Sequence, residues 1–471
     1  MCAKIVCSQC IKYYESLDKA RDEIQRLRAE NKRLKEKLSI QERKISEGYF
    51  GSSTPSSKKP VKKNTVKKDK EKNRGGAVVG HKGNGRSPIT KQIADRIEKI
   101  ELTSPCPHCG SFDFIDLGDI GERERGVVDF EIKVEKVIYE LERKKCNGCK
   151  KIIQAKAPGV LPKNLYSNNF LAHIATEHYL NGIPLGHLER QTGIGYGALI
   201  NAMHRLGDIL KDVPEKLIEY YRNAKVKHAD ETGWRRDGNN GYGWLFATPN
   251  TCVYRFRDSR SGKIAQAVFG DKELPGVLVV DRYAGYNKAP CDIQYCYAHI
   301  LRHIQDLEKE FPDNEEIKIF VEKSAPLLAE AMNLRSLPID DKEFYKRAVS
   351  TKEEIIKTMN SEANHAGIQN IQNIFREKHD RLYHWADDRD VPADNNFAER
   401  ELRGLVVARK ISFGSHSDAG VLTREILMSV LKTLKLRTKT NTRIAFKEFL
   451  DKLAENPKLD IYQTLFQKQT D

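Results

Sequence analysis

Three carboxylic acids in distinctive surroundings carry the chemistry available to this sequence. Asp230 stands in Val-Lys-His-Ala-Asp-Glu-Thr-Gly-Trp, Asp281 in Val-Leu-Val-Val-Asp-Arg-Tyr-Ala-Gly-Tyr, and Glu399 in Asp-Asn-Asn-Phe-Ala-Glu-Arg. The first two follow short β-rich runs, which predicts a carboxylate at each strand end. The third opens a helical stretch. Hard cations such as magnesium take oxygen ligands and keep positions for water and phosphate. Two such ions can clamp the attacking and leaving oxygens of a phosphodiester. Glu231 competes with Asp230 for the role, and Asp394 and Glu401 compete with Glu399. Asp230 is preferred because a shift of one residue turns a strand side chain to the opposite face. An acid ending the apolar run Val277–Val280 is costly to bury alone, so a cation is its natural partner.

A second set of groups lies upstream. Cys106-Pro-His-Cys109 and Cys146-Asn-Gly-Cys149 are paired Cys-x-x-Cys knuckles, with strand character between them at Val127–Leu141. Four thiolates close a tetrahedral shell, which predicts a zinc ribbon whose zinc is structural. His108 is read as a bystander, and Cys2, Cys7 and Cys10 as free thiols. Cys296, His299 and His303 also have metal-like spacing, but Arg302 or His299 approaching a phosphate is preferred. Arg400, Arg403, Arg409 and Lys410 place positive charge beside Glu399 and are read, with Arg302, as DNA contacts.

These groups need elements to hold them, and 471 residues allow two or three domains. The pattern predicts a multidomain α+β chain. Residues 1–50 are a coiled-coil dimerisation helix, with Leu17, Ile24, Asn31, Leu38 and Ile45 at one heptad position and Ala20, Leu27 and Leu34 at another. Residues 51–90 are a lysine-rich, disordered linker. Residues 91–157 form the four-Cys domain. Residues 158–222 are a helical, helix-turn-helix-like DNA-binding unit around Gly193-Ile-Gly195, with a plain helical hairpin as the alternative that periodicity leaves open. Residues 223–432 are an α/β core with an all-helical insertion at 311–385, and 433–471 a C-terminal helical segment.

Composition agrees with a polyanionic partner. There are 81 Lys and Arg against 66 Asp and Glu, a net charge of +15, and nucleic acid is the default ligand for such an excess. No stretch approaches the roughly 20 apolar residues of a membrane helix, so a cytoplasmic location and no membrane partner are expected. Ten cysteines in such a chain do not suggest a disulfide framework.

Taken together, the motifs resemble the transposases of the insertion-sequence sixty-six type, a branch of the DDE transposases. The matching stretches are Gly80-His-Lys-Gly83, His228-Ala-Asp-Glu-Thr232, Val280-Asp-Arg-Tyr-Ala-Gly-Tyr286, Cys296-Tyr-Ala-His299, Asp394-Asn-Asn-Phe-Ala-Glu-Arg400, and Arg409-Lys410 followed by Gly414-Ser-His-Ser. Tyr297 departs from an expected Trp, and Ile411-Ser-Phe from an aromatic-rich stretch. The resemblance implies an RNase H-like core, with Asp230, Asp281 and Glu399 as catalytic acids on two magnesium (or manganese) ions. It implies double-stranded DNA partners, namely the element's terminal inverted repeats and a target. It also implies a homodimer or higher assembly, possible small accessory proteins of the same element, and a place at the prokaryotic nucleoid. Two other functions fit the same parts: a zinc-containing DNA-binding regulator with an inactive core, and a structure-specific nuclease on the RNase H fold.

Overall fold

A computed structural model describes residues 8–46, 90–98, 103–115 and 133–466, with side chains of the first helix from 15 to 38. Residues 51–89 of the basic linker, with Gly80–Gly83, and Cys2, Cys7 and the side chain of Cys10 lie outside the described residues. The chain divides into two compact units, one of residues 61–138 and one of 1–60 with 139–471. It is a mixed α+β protein.

In the larger unit α1 (Ser8–Ser46) is one unbroken helix. Its heptad residues Leu17, Ile24, Leu27, Leu34 and Leu38 are exposed, so the apolar stripe is displayed. β1 (Arg143–Lys145) and β2 (Ile152–Gln154) form a short antiparallel hairpin with Cys146–Cys149 at its turn. The strand expected over 127–141 does not form in residues 133–141, and 127–132 lie outside the described residues. Val134, Val137 and Ile138 are all exposed, and a segment with no buried face has nothing to fix a pairing register.

Four helices follow: α2 (Asn168–Tyr179), α3 (Leu185–Thr192), α4 (Tyr196–Leu210) and α5 (Val213–Arg222). Gly193 ends α3 in the left-handed conformation at φ 68°, and its N–H returns to Glu189 O. Only a residue without Cβ takes this conformation freely, which is why the glycine turn divides α3 from α4.

The central sheet contains β3 (Val226–Gly233), β5 (Tyr242–Thr248), β6 (Thr251–Arg257), β7 (Val277–Val280) and β8 (Asp292–Tyr295), with the two-residue β4 (Arg235–Arg236) after β3. The order is β6-β5-β3-β7-β8. β6, β5 and β3 are antiparallel neighbours, whereas β3, β7 and β8 run parallel. α6 (Gly262–Phe269) precedes β7, and α7 (Tyr297–Glu310) leaves β8. β7 is buried along its whole length, as parallel strands covered on both faces must be.

Between α7 and α12 the described chain is helical: α8 (Glu315–Leu334), α9 (Asp341–Met359), α10 (Ala366–Glu377) and α11 (His384–Asp387). Then come α12 (Asn396–Ser412), β9 (Gly414–Ser415) paired with β4, α13 (Asp418–Arg437), α14 (Thr442–Glu455) and α15 (Ile461–Phe466). α13 runs through residues 432 and 433 without a break.

α13 also closes the sheet. β6 is an edge strand, and its outward N–H groups would otherwise be open to other chains. Glu425 Oε2 accepts from Phe256 N at 3.0 Å, Ser429 Oγ from Tyr254 N at 2.9 Å, and Thr433 Oγ1 from Cys252 N at 3.0 Å. Four helical residues rise about 6 Å and two strand residues about 6.7 Å, so side chains four apart match every second N–H of the strand. Glu425 also takes Arg255 at 2.7 Å and Arg257 at 2.8 Å. Removing Glu425 leaves the buried Arg255 guanidinium short of its buried partner. Glu425→Ala is expected to cost about 3–5 kcal/mol, and Ser429→Ala about 1–3 kcal/mol. Urea unfolding of each variant measures this; equally small losses at both positions would remove the ladder from the account of stability.

Candidate active site

Strand register brings the first two acids together. His228 pairs with Val279 across the parallel β3–β7 ladder. Asp230 and Asp281 each lie two residues further on, and residues two apart on a strand share a face. The register therefore brings Asp230 and Asp281 to neighbouring positions, on or just beyond strands about 4.8 Å apart. Both residues are buried. Asp281 follows the end of β7 as expected, but Asp230 lies within β3, not at its end. The antiparallel partner β5 extends the ladder to Gly233↔Tyr242, past the point where β7 stops.

The same alternation separates Asp230 from Glu231. His228, Asp230 and Thr232 share the face that receives α12: His228 Nδ1 meets Asn395 Oδ1 at 2.8 Å, and Arg409 donates to Thr232 Oγ1 at 3.1 Å. Glu231 belongs to the other face, where Arg260 Nε donates to Oε1 at 2.8 Å and Tyr286 OH donates to Oε2. Arg260 also lies over the Tyr283 ring, 4.1 Å from its centroid. Glu231 is thus neutralised by an ion pair. Asp230 has only its own turn: Oδ1 accepts from Glu231 N at 2.8 Å, and buried Oδ2 has no hydrogen-bond partner among the described residues.

Glu399 arrives from α12. The helix lies close over the sheet because Gly243 has no side chain; a Cβ there would come within 2.6 Å of Leu405 Cδ2. Arg302 of α7 donates to Glu399 Oε1 at 3.1 Å, and His299 Nε2 lies 3.7 Å from the same oxygen. Burial, and then the charges of Glu231, Asp281 and Glu399, push the Asp230 carboxyl well above the usual carboxylate range. Asp230 therefore feels the charges of both other acids of the sequence motifs. Asp394, the alternative to Glu399, accepts from Asn396 N at 2.9 Å and closes the turn before α12. Glu401 is taken up by Lys432 at 3.4 Å.

The expected phosphate-binding residues have different fates. Arg302 is engaged with Glu399. Arg409 is half-buried and donates to Gly233 O at 2.7 Å, tying α12 to β3. Arg400, Arg403 and Lys410 are exposed along α12. The cysteine knuckles each have the same local form. Gly110 N returns to Cys106 O at 2.8 Å and Lys150 N to Cys146 O at 2.9 Å, with positive φ at Gly110 and Lys150. N–H groups of His108 and then Cys109 lower the Cys106 thiol, and those of Cys149 and then Gly148 lower Cys146. Among the described residues no three His, Cys, Asp or Glu side chains converge closely enough to form a ready metal cage. Arg260, Tyr286 and Asn395 were not singled out by sequence reasoning, although Tyr286 and Asn395 lie inside the motif stretches.

Comparison with known proteins meets this geometry. The family description "Transposase IS66 family" matches residues 163–422, which span every element of the site. The chain belongs to the IS66 transposase family. Two curated relatives, the uncharacterized proteins y4jD and y4qI of Sinorhizobium fredii (strain NBRC 101917 / NGR234), are each 22% identical to it. The alignments cover 72% of this chain and 72% of y4jD, and 74% and 73% for y4qI. Family membership implies DNA binding and transposase activity in general. No helix among the described residues is long and apolar enough to cross a membrane.

An IS66 transposase site built of oxygen donors invites a hard cation. The donor chemistry suits one: among the described residues a buried carboxylate oxygen lacks a hydrogen-bond partner, and like charges crowd it. Folding raises the Asp230 pKa, so the folded chain holds that proton more tightly than the unfolded chain. This contribution is fully present below the ordinary Asp range and is lost as pH rises through the raised folded value. Asp230→Asn keeps the shape without the charge. Without divalent ions at neutral pH it is expected to melt above wild type, by about 1 °C per kcal/mol of relieved repulsion. The gap should close on acidification. Calorimetry across pH reads this, and a variant that melts lower at neutral pH contradicts the crowding.

Proposed function

We propose that the chain is a DNA transposase that cuts the ends of an insertion sequence and joins them to target DNA, using Asp230, Asp281 and Glu399 to hold two divalent cations. The observation that carries this reading is the register of β3 and β7, which brings two buried acids to neighbouring positions, with an Asp230 carboxylate oxygen that has no hydrogen-bond partner among the described residues. The strand order, three antiparallel strands continued by two parallel ones, supports an RNase H-like core. Magnesium or manganese bound there would supply the positive charge that stabilises the attacking and departing oxygens of a phosphodiester.

The protein's own contribution is positional. The sheet holds Asp230 and Asp281 rigidly, and preorganised groups need not rearrange during reaction. Arg302 holds Glu399 from the α7 side. Arg260 and Tyr286 occupy Glu231, which leaves Asp230 as the acid facing α12. Arg400, Arg403 and Lys410 form the exposed basic row beside Glu399 and are proposed to meet DNA phosphates. Arg409 already ties α12 to β3, so its part is to hold that row in place. The α2–α4 unit and the cysteine knuckles are proposed to bind the terminal repeats. The lowered knuckle thiols support structural zinc, since the thiolate is the metal-binding form. The exposed stripe of α1 supports pairing of two chains, which would hold two element ends in one complex.

The test uses labelled element ends, a supercoiled target and magnesium. Joined products support a transposase, cut products alone a nuclease, and a mobility shift without products a DNA-binding regulator. Asp281→Asn is expected to abolish cleavage, with a loss of at least a hundredfold, while end binding persists; loss of both together argues for a structural role. Cys106→Ser with Cys149→Ser should lower the zinc content measured by elemental analysis, and unchanged zinc would refute that assignment.

A further inference from the structure

Asn395 occupies the N-cap of α12, yet its side chain caps nothing. An Asn at that position ordinarily accepts from an N–H in the first helical turn. Here no such bond forms, and the backbone stands at φ −104° and ψ 24°. Asp394 closes the turn instead, through Asn396 N. The Asn395 side chain is turned into the protein, 1% exposed. Its Nδ2 donates to Ala229 O at 2.9 Å and its Oδ1 accepts from His228 Nδ1 at 2.8 Å, on the two residues leading to Asp230. Its N–H donates to Cys296 Sγ at 3.1 Å. Cys296 N in turn donates at 2.9 Å to Val280 O, the residue before Asp281. The Asn395 carbonyl accepts from Glu399 N at 3.2 Å. The side-chain amide of this one buried residue leads to Asp230, its N–H through Cys296 towards Asp281, and its carbonyl to Glu399.

We propose that Asn395 is a positioning residue that fixes Asp230, Asp281 and Glu399 relative to one another and thereby sets their affinity for a divalent cation. The proposal rests on the reading of those three acids as cation ligands. Asn suits the position because it donates and accepts on one short, planar amide. Serine caps helices as well as asparagine but is too short to span to β3.

The test compares full-length wild type, Asn395→Ser, Asn395→Ala and the exposed neighbour Asn396→Ala. Melting temperature is measured in chelator and then through a manganese titration, followed by cleavage of labelled element ends at saturating manganese. Asn395→Ser is expected to fold, to need about tenfold more manganese for half of its melting-temperature rise, and to cleave at least tenfold more slowly. Asn396→Ala should track wild type. Should Asn395→Ala fail to fold, Asn395→Ser decides. A wild-type manganese midpoint in Asn395→Ser, with only a lower melting temperature in chelator, reduces Asn395 to a structural tether and overturns the proposal. Wild type that shows no manganese response overturns the ligand reading itself, and the proposal with it.

Discussion

Like charges held side by side in a buried floor are the constraint around which this fold is organised. Asp230, Glu231 and Asp281 are all buried, and Glu399 is close enough for its charge to be felt at Asp230. Such crowding is unfavourable unless each charge is matched or separated. Strand alternation separates Glu231 onto the opposite face, where Arg260 matches it. Arg302 matches Glu399. Among the described residues Asp230 keeps a buried oxygen with no hydrogen-bond partner, where the charges of Asp281 and Glu399 are felt. A protein selected only for stability would not keep it, and sites that do so are commonly functional.

Rigidity is what makes the crowding tolerable, and it comes from both sides of the sheet. Gly243 lets α12 settle onto β3 and β5, so Glu399 approaches from above the strands. On the far edge, Glu425, Ser429 and Thr433 complete β6 with side-chain acceptors in place of a sixth strand. The same helix reaches back to the helical unit. Arg424 Nη2 meets His178 Nε2 at 2.8 Å and its guanidinium lies 5.0 Å from the Trp234 ring centroid. α13 thus couples the α2–α4 helices to the strand that carries Asp230.

Local patterns were legible in the sequence where a single period governed them. The run Val277–Val280 reads as a buried strand because every residue is apolar, and Leu185–Thr192 followed by glycine reads as a helix with a left-handed end. What alternation within one strand implies for Asp230 against Glu231 was legible too. The partner of β3 was not: parallel pairing with β7 joins residues some fifty positions apart, and no local period encodes it. The full length of β3 was hidden for the same reason, since Glu-Thr-Gly after Asp230 reads as a turn until β5 pairs with it. Arg260 carried no signal, because an arginine after a strand is ordinary until Glu231 is found opposite. The paired cysteine knuckles were visible from spacing, whereas the strand expected over Val127–Leu141 does not form in residues 133–141 for want of any face to bury.

Glu399 was the acid least fixed by local pattern, because a long helical stretch separates it from Asp281. The structure shows how that distance in sequence is made harmless. The chain leaves the sheet at Tyr297 and returns beside it: Tyr297 N donates to Ala393 O at 2.8 Å, and Gln294 Nε2 to Leu382 O at 3.3 Å. Trp385 N donates back to Gln294 Oε1 at 3.3 Å, so the returning segment is bonded to β8 before α12 begins. Lengthening a connection whose ends are already pinned costs little, since closure entropy grows only with the logarithm of loop length. Helices α8–α10 can therefore vary in extent without moving Glu399. Its position depends on the bonds at Ala393 and Asn395, a few residues before it, and not on the path the chain has taken to reach them.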